Sequence, residues 1–143
     1  MKYFLPLLVI LTSVIGSLAN IYINVDDWYL NLTKSPLNPP SFVFGIVWPI
    51  LYAIMAFVSF KMADKIAGLF IMQLVTNAAW SWMFFYFHAP LIALIDISIL
   101  IVLNLKIMKI LKGESNLLFY LYLPYLIWLI FAAFLNASIV FLN

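Results

Sequence analysis

Residues 66–87 read IAGLFIMQLVTNAAWSWMFFYF, 22 positions without a charged side chain. About 20 apolar residues in a helix rising 1.5 Å each cross the hydrocarbon of a bilayer, so this stretch is long enough to span one. Gln73, Asn77 and Ser81 recur every fourth position, and His88 extends the same stripe, with Trp80 and Phe84 beside it. Polar groups turned toward lipid are expensive, so this stripe faces protein or a cavity. The segment reads as a membrane helix with one edge reserved for contacts other than lipid.

Working outward, four further apolar runs cover about residues 3–23, 42–60, 91–111 and 117–142. Lys61, Asp64 and Lys65 separate the second run from the quoted one, His88-Ala89-Pro90 closes it, and Lys112 to Asn116 precede the last. None alternates polar with apolar residues, which excludes a β-barrel. The expected fold is therefore an all-α integral membrane bundle of five transmembrane helices with a long loop between helices 1 and 2, one domain over residues 1–143. Composition agrees: 68% of the 143 residues are hydrophobic and 8% charged, against about 25% charged in soluble domains. Mean hydropathy is +1.17.

The same numbers exclude several functions. With no Cys, there are no disulfides, thiolate metal sites or cysteine nucleophiles. One His and five carboxylates point to no metal site, and a net charge of +2 without a basic tract points to no nucleic-acid partner. Lys2, an apolar run and Ser17-Leu18-Ala19 mimic a secretory leader. That run is long enough to span, and is expected to stay as a helix. Lys2, Lys61, Lys65, Lys106, Lys109 and Lys112 fall on one side of a five-span topology and Lys34 alone on the other. In a bacterial cell membrane, this split is expected to put the N-terminus in the cytoplasm and the C-terminus outside.

Other runs carry stripes of their own. Ser13, Gly16, Ser17 and Asn20 share a face of the first span and suit close helix packing. Phe44, Trp48, Tyr52 and Met55 line the second, and Tyr125, Trp128, Ala132 and Asn136 the fifth. Rich in Trp, Tyr and Asn, these two stripes and that of the third span frame a mostly apolar cavity for a flat hydrophobic ligand. Pro49 and Pro124 lie inside the second and fifth runs and are expected to kink them. The first connection, residues 24–41, is long enough for a lid, with Trp28 and Tyr29 suited to the headgroup layer. Asp96 is the one carboxylate well inside an apolar run, where the readings are a structural hydrogen bond or a proton relay. His88 could ligate haem iron axially, but it sits at a span end, where a histidine is ordinary. No catalytic constellation or phosphate loop is present.

These residues resemble the translocator protein, or tryptophan-rich sensory protein (TspO/MBR, peripheral-type benzodiazepine receptor), family along almost the whole chain. The resemblance runs through Trp28-Tyr29, Leu32-x-Lys34, Pro39-Pro40, Phe44, Val47-Trp48, Leu51-Tyr52 and Met55. It continues with Gln73-Leu74, Asn77-Ala78-Ala79-Trp80-Ser81, Phe84-Phe85, Pro124-Tyr125-x-x-Trp128, Phe131-Ala132, Leu135-Asn136 and Asn143. One departure is clear: Leu37 stands where the family's first loop carries a tryptophan.

The resemblance implies a bacterial-type member, a homodimer whose cavity takes protoporphyrin IX, haem or another tetrapyrrole, or benzodiazepine- and isoquinoline-type molecules. Porphyrin or haem would be a ligand rather than a covalently bound cofactor. Carried over by position, Trp48, Asn77, Ser81, Trp128 and Ala132 would line the cavity, joined by Tyr52, Tyr125 and Asn136. The expected role is a receptor, sensor or carrier. The alternatives are a light- and oxygen-dependent porphyrin-degrading enzyme with Trp48 as the candidate reactive residue, and a small proton-coupled transporter using Asp96.

Overall fold

The computed structural model describes residues 1–23 and 27–143, so Asp26 at the start of the first connection lies outside the described residues. All regular structure among them is helical: α1 Phe4–Ala19, α2 Ser41–Ser81, α3 Pro90–Glu114 and α4 Asn116–Leu142. A 3-10 turn, Asn20–Ile23, extends α1, and a π turn, Trp82–Tyr86, extends α2. Four helices are thus long and apolar enough to cross a membrane.

Two of the expected spans fall within α2, as helical segments on either side of a kink at Met62. The polar stretch at residues 61–65 reads in the sequence as a connection between them, yet helix runs through it and only Met62 leaves helical geometry, at φ −123° and ψ 21°. Lys, Met, Ala, Asp and Lys contain neither Gly nor Pro, so the break at Met62 is made without the usual helix breakers. The elbow nevertheless turns the chain back on itself. Twenty-five residues of straight helix would separate Tyr52 from Asn77 by about 37 Å, but their side chains hydrogen-bond at 2.8 Å. Gln73 likewise reaches Met55 across the elbow. We therefore describe α2 as a first arm, residues 41–61, lying against a second arm, residues 63–81.

Helix ends follow local chemistry. Pro40 caps α2, where a missing N–H is harmless. Pro90 opens α3, and the Ser115 hydroxyl accepts from Leu118 N at 3.3 Å to cap α4. Beyond the π turn the chain leaves α2 through His88 at φ 53°, a left-handed residue ending the helix without glycine. Pro49 lies inside α2 and Pro124 inside α4, and no residue beside either one leaves helical dihedrals. Both rings lie on exposed faces, with Trp48 and Tyr125 beside them turned inward.

The distribution of polarity is inverted relative to a water-soluble bundle. Ile10, Val14, Ile46, Ile50, Val75, Ile95, Ile99, Ile127 and Ile130 are exposed, whereas Gln73, Asn77, Asp96, Asn104 and Asn136 are buried. Such an apolar exterior suits lipid contact and marks an integral membrane protein. The interior is built by Met55, Phe70, Leu74, Leu100, Ile107, Tyr122 and Leu129 from α2, α3 and α4, with Leu5 and Val9 of α1 laid against them. Lys2 sits over the Phe60 ring at 4.6 Å, so the N-terminus and the elbow share one end.

Candidate ligand cavity

The two arms of α2 bring their stripes together. Trp48 and Tyr52 from the first arm and Asn77, Trp80 and Ser81 from the second line one small cavity. Ile97 and Leu100 of α3 and Leu129 and Ala132 of α4 complete its wall. Its volume, about 20 Å³ for the centre of a water molecule, suits roughly one water. Gly16 of α1 faces its polar corner: a Cβ there would lie 3.7 Å from the Tyr52 hydroxyl and 3.8 Å from that of Ser81.

Of the residues expected to bind ligand, Trp48, Tyr52, Asn77, Ser81 and Ala132 are on this wall. Three others stand behind it. Tyr125 is fully buried, accepts from Asn77 Nδ2 at 2.9 Å and donates to Gln73 Oε1 at 2.7 Å. Trp128 packs edge-on against Trp48, ring centres 6.5 Å apart, and against Phe44 at 5.7 Å. Its buried Nε1 finds no hydrogen-bond partner among the described residues. Asn136 accepts from Trp80 Nε1 at 2.9 Å and donates to the Pro90 carbonyl at 2.8 Å. It holds a lining residue rather than lining the cavity.

Sequence reasoning misses the share of α3, because Ile97 and Leu100 are apolar in an apolar run and carry no mark. It also misses Asn104, whose amide is fully buried among Tyr122, Gln73 and the Leu100 carbonyl. An asparagine in a membrane helix is the signal that could have found it. In α1 the expected stripe is split: Gly16 is buried, but Ser17 and Asn20 are exposed. Ser13 and Ser17 satisfy their hydroxyls on their own helix, at Ile10 O and Val14 O, which removes the penalty of facing outward. Asp96 is 8% exposed, and its Oδ2 has no hydrogen-bond partner among the described residues.

The first connection covers the end of the bundle away from the elbow. Trp28 and Tyr29 meet Phe84 edge-on at 5.7 and 5.9 Å, and the Trp28 ring stacks on that of His88 at 4.4 Å. Lys34 lies 4.4 Å over the Tyr29 ring and donates to Tyr29 O at 2.7 Å. Loss of solvent pushes the Lys34 ammonium below its ordinary pKa. Burial pushes the Tyr29 phenol up, against a smaller opposing effect of its hydrogen bond with Asn38. At the far end of the chain, Asn143 forms a two-bond clasp with Thr33: Thr33 N donates to Oδ1 at 3.0 Å and Nδ2 to Thr33 O at 2.9 Å. Leu37 is 65% exposed.

The decisive observation is that the profile of the TspO/MBR family matches residues 4–142. The chain belongs to the TspO/MBR family. It is 35% identical to the tryptophan-rich protein TspO of Archaeoglobus fulgidus over 84% of this chain and 82% of that one. Similarity extends to the tryptophan-rich sensory protein of Cereibacter sphaeroides, at 29% over 82% of this chain and 78% of the relative. The translocator protein of Ovis aries is 29% identical over 85% and 79%. In this member of the family, the cavity of Trp48, Tyr52 and Asn77 is where the fold concentrates aromatic and hydrogen-bonding groups away from lipid.

Proposed function

We propose that this protein is a membrane receptor, sensor or carrier that takes a flat hydrophobic ligand, a tetrapyrrole such as protoporphyrin IX or haem, or a benzodiazepine- or isoquinoline-type molecule, between its helices. The observation carrying this reading is the convergence of Trp48 and Trp80 indoles with Tyr52, Asn77 and Ser81 on one site. Indole faces supply stacking area, and a few fixed polar groups orient the ligand. Pockets for such ligands span roughly 300–1,000 Å³, so the small cavity widens on binding. The loop clasped by Asn143 and the wall of bulky rings are the parts that move. The chain crosses the bilayer five times, the two arms of α2 counting separately, in a bacterial cell membrane. The six lysines of one side lie in the cytoplasm with the N-terminus, and the C-terminus lies outside. The protein works as a homodimer, as the family resemblance implies; Gly68, Met72 and Val75 give the second arm an exposed face for a second copy.

Titration of protoporphyrin IX into the protein in nanodiscs, followed by tryptophan fluorescence in the dark, tests the reading. Saturable quenching that weakens in Trp48→Phe supports it. No saturable binding of either tetrapyrrole or isoquinoline ligand refutes it. The same titration under light tests the enzyme reading, favoured by the position of the Trp48 indole on the cavity wall: loss of porphyrin absorbance only with light and oxygen is its signature. The transport reading draws on the buried, unpartnered oxygen of Asp96.

A further inference from the structure

A second and wider hollow opens at the elbow end of the bundle, beside the break at Met62 where the first arm of α2 passes into the second. Lys2, Phe60, Lys61, Ala63 and Asp64 line it. Its volume is about 270 Å³ for the centre of a water molecule, against about 20 Å³ for the inner cavity. That lies near the lower end of small-molecule pockets, roughly 300 Å³, and exceeds what a bare ion fills. Ala63, 4% exposed, forms the floor, and Lys2, Lys61 and Asp64 stand exposed on the rim.

The charges of this hollow are held apart. Lys2 Nζ lies 4.6 Å over the Phe60 ring and 5.8 Å over that of Tyr3. Those two rings touch, centres 5.7 Å apart, so the ammonium rests on an aromatic shelf. Lys61 Nζ lies 5.7 Å over the Phe57 ring. Among the described residues neither lysine forms an ion pair with Asp64; the ion pair of this end is Lys65–Glu114, at 3.8 Å. Two cations and one carboxylate thus face one hollow without neutralising each other. The helices leading away from it are apolar outside, with Phe4, Leu7 and Leu11 of α1 and Phe57 of the first arm exposed. Lysines at the ends of membrane helices reach the depth of the lipid headgroups.

We infer that this hollow is a phospholipid headgroup site whose occupant is a phosphodiester carrying a primary ammonium. Lys2 and Lys61 hold the phosphate, and Asp64 accepts from the ammonium. Basic pockets between membrane helices bind lipid headgroups, but lysines alone take any phosphate, and Asp64 supplies the discrimination. A headgroup ending in hydroxyls offers the carboxylate no cation, and a trimethylated one has no N–H to donate. Phosphoethanolamine, with its phosphate and ammonium two carbons apart, meets both signs. The site is separate from the inner cavity and stands whatever that cavity binds.

Native mass spectrometry of the detergent-purified protein, titrated with phosphatidylethanolamine, phosphatidylglycerol and phosphatidylcholine of identical acyl chains, reads the affinity of the first lipid bound. Phosphatidylethanolamine is expected to bind about threefold tighter than the other two, the size of one exposed charge pair. Asp64→Asn is expected to erase that preference and keep phosphate binding. Lys2→Gln and Lys61→Gln are each expected to weaken all three lipids about fivefold, whereas Lys109→Gln, the same charge removed from α3, changes none. All four side chains are exposed, and an unchanged thermal transition confirms that each variant folds. Equal binding of the three lipids by the unaltered protein, a preference that survives Asp64→Asn, or an equal loss in Lys109→Gln overturns the inference. Tail-free competitors separate the possible sources of the phosphate. Displacement of the lipid by glycerophosphoethanolamine and not by inorganic phosphate at the same concentration supports the headgroup site; equal displacement by inorganic phosphate assigns the hollow to free phosphate and overturns it.

Discussion

Asn104→Ala is the substitution whose consequence can be worked furthest from the structure. The side chain is fully buried and makes three contacts: it accepts from Tyr122 Oη at 2.6 Å and donates to Gln73 Oε1 at 3.2 Å and Leu100 O at 2.9 Å. The Leu100 carbonyl belongs to the same helix, so its loss counts for little. The other two join α3 to α4 and to the second arm of α2. Hydrogen bonds between membrane helices average about 0.6 kcal/mol and reach about 1.7 kcal/mol. Two of them give about 1–3 kcal/mol. The fully buried Tyr122 hydroxyl, deprived of the acceptor it donates to, moves the expectation to the upper half of that range. Tyr122→Phe alone is expected to cost about 1 kcal/mol, and the double variant about 1 kcal/mol less than the sum of the two. Reversible unfolding in bicelles measures all three against the unaltered protein. A loss below about 0.5 kcal/mol for Asn104→Ala, or strict additivity with Tyr122→Phe, would refute the view that this buried pair ties the helices together.

Three further outcomes follow from the geometry. Asn143→Ala removes both bonds of the clasp on Thr33, so amide exchange at Thr33 is expected to accelerate about fivefold or more, with global stability changed by under about 1 kcal/mol; unchanged exchange would show that the ring contacts of Trp28 and Tyr29 hold the loop by themselves. Gly16→Ala places a methyl group at ordinary contact distance from Tyr52 and Ser81, so the protein should fold normally and lose ligand affinity several-fold at the polar corner, while Gly16→Leu should abolish binding; equal affinities across the series would remove α1 from the cavity. Asp96→Asn keeps the shape of a side chain whose Oδ2 is unpartnered and is expected to leave ligand affinity within about twofold; proton-dependent uptake unchanged by it would end the transport reading.

Helical period alone makes two of the cavity's stripes legible in the sequence. Trp48 and Tyr52 are four residues apart, as are Asn77 and Ser81, and each pair stays on one face of its arm and reaches the same wall. The third stripe is legible as a face but not as a wall. Tyr125, Trp128, Ala132 and Asn136 do turn inward, yet only Ala132 touches the cavity, because the rotation of α4 against its neighbours brings Leu129 to the gap and leaves Trp128 beside it. In the first helix the outward position of Ser17 is hidden for a related reason: a hydroxyl bonded to its own helix can face lipid, so polarity there is a weak indicator of direction.

The membrane class, the all-helical content and the apolar stretches that form the helices were determined by the sequence alone. They depend on composition and on a backbone that must satisfy its own hydrogen bonds in lipid. Tertiary structure alone decided that residues 61–65 form a helical elbow and that Trp80 replaces Trp128 on the wall. It also decided that Asn104, Gln73 and Tyr125 stand in line behind Asn77. Lipid is as apolar as a core of Leu and Ile, so hydrophobic pattern cannot say which face of a membrane helix turns inward. Close packing and hydrogen-bond geometry between helices settle that, and both exist only once the helices are assembled.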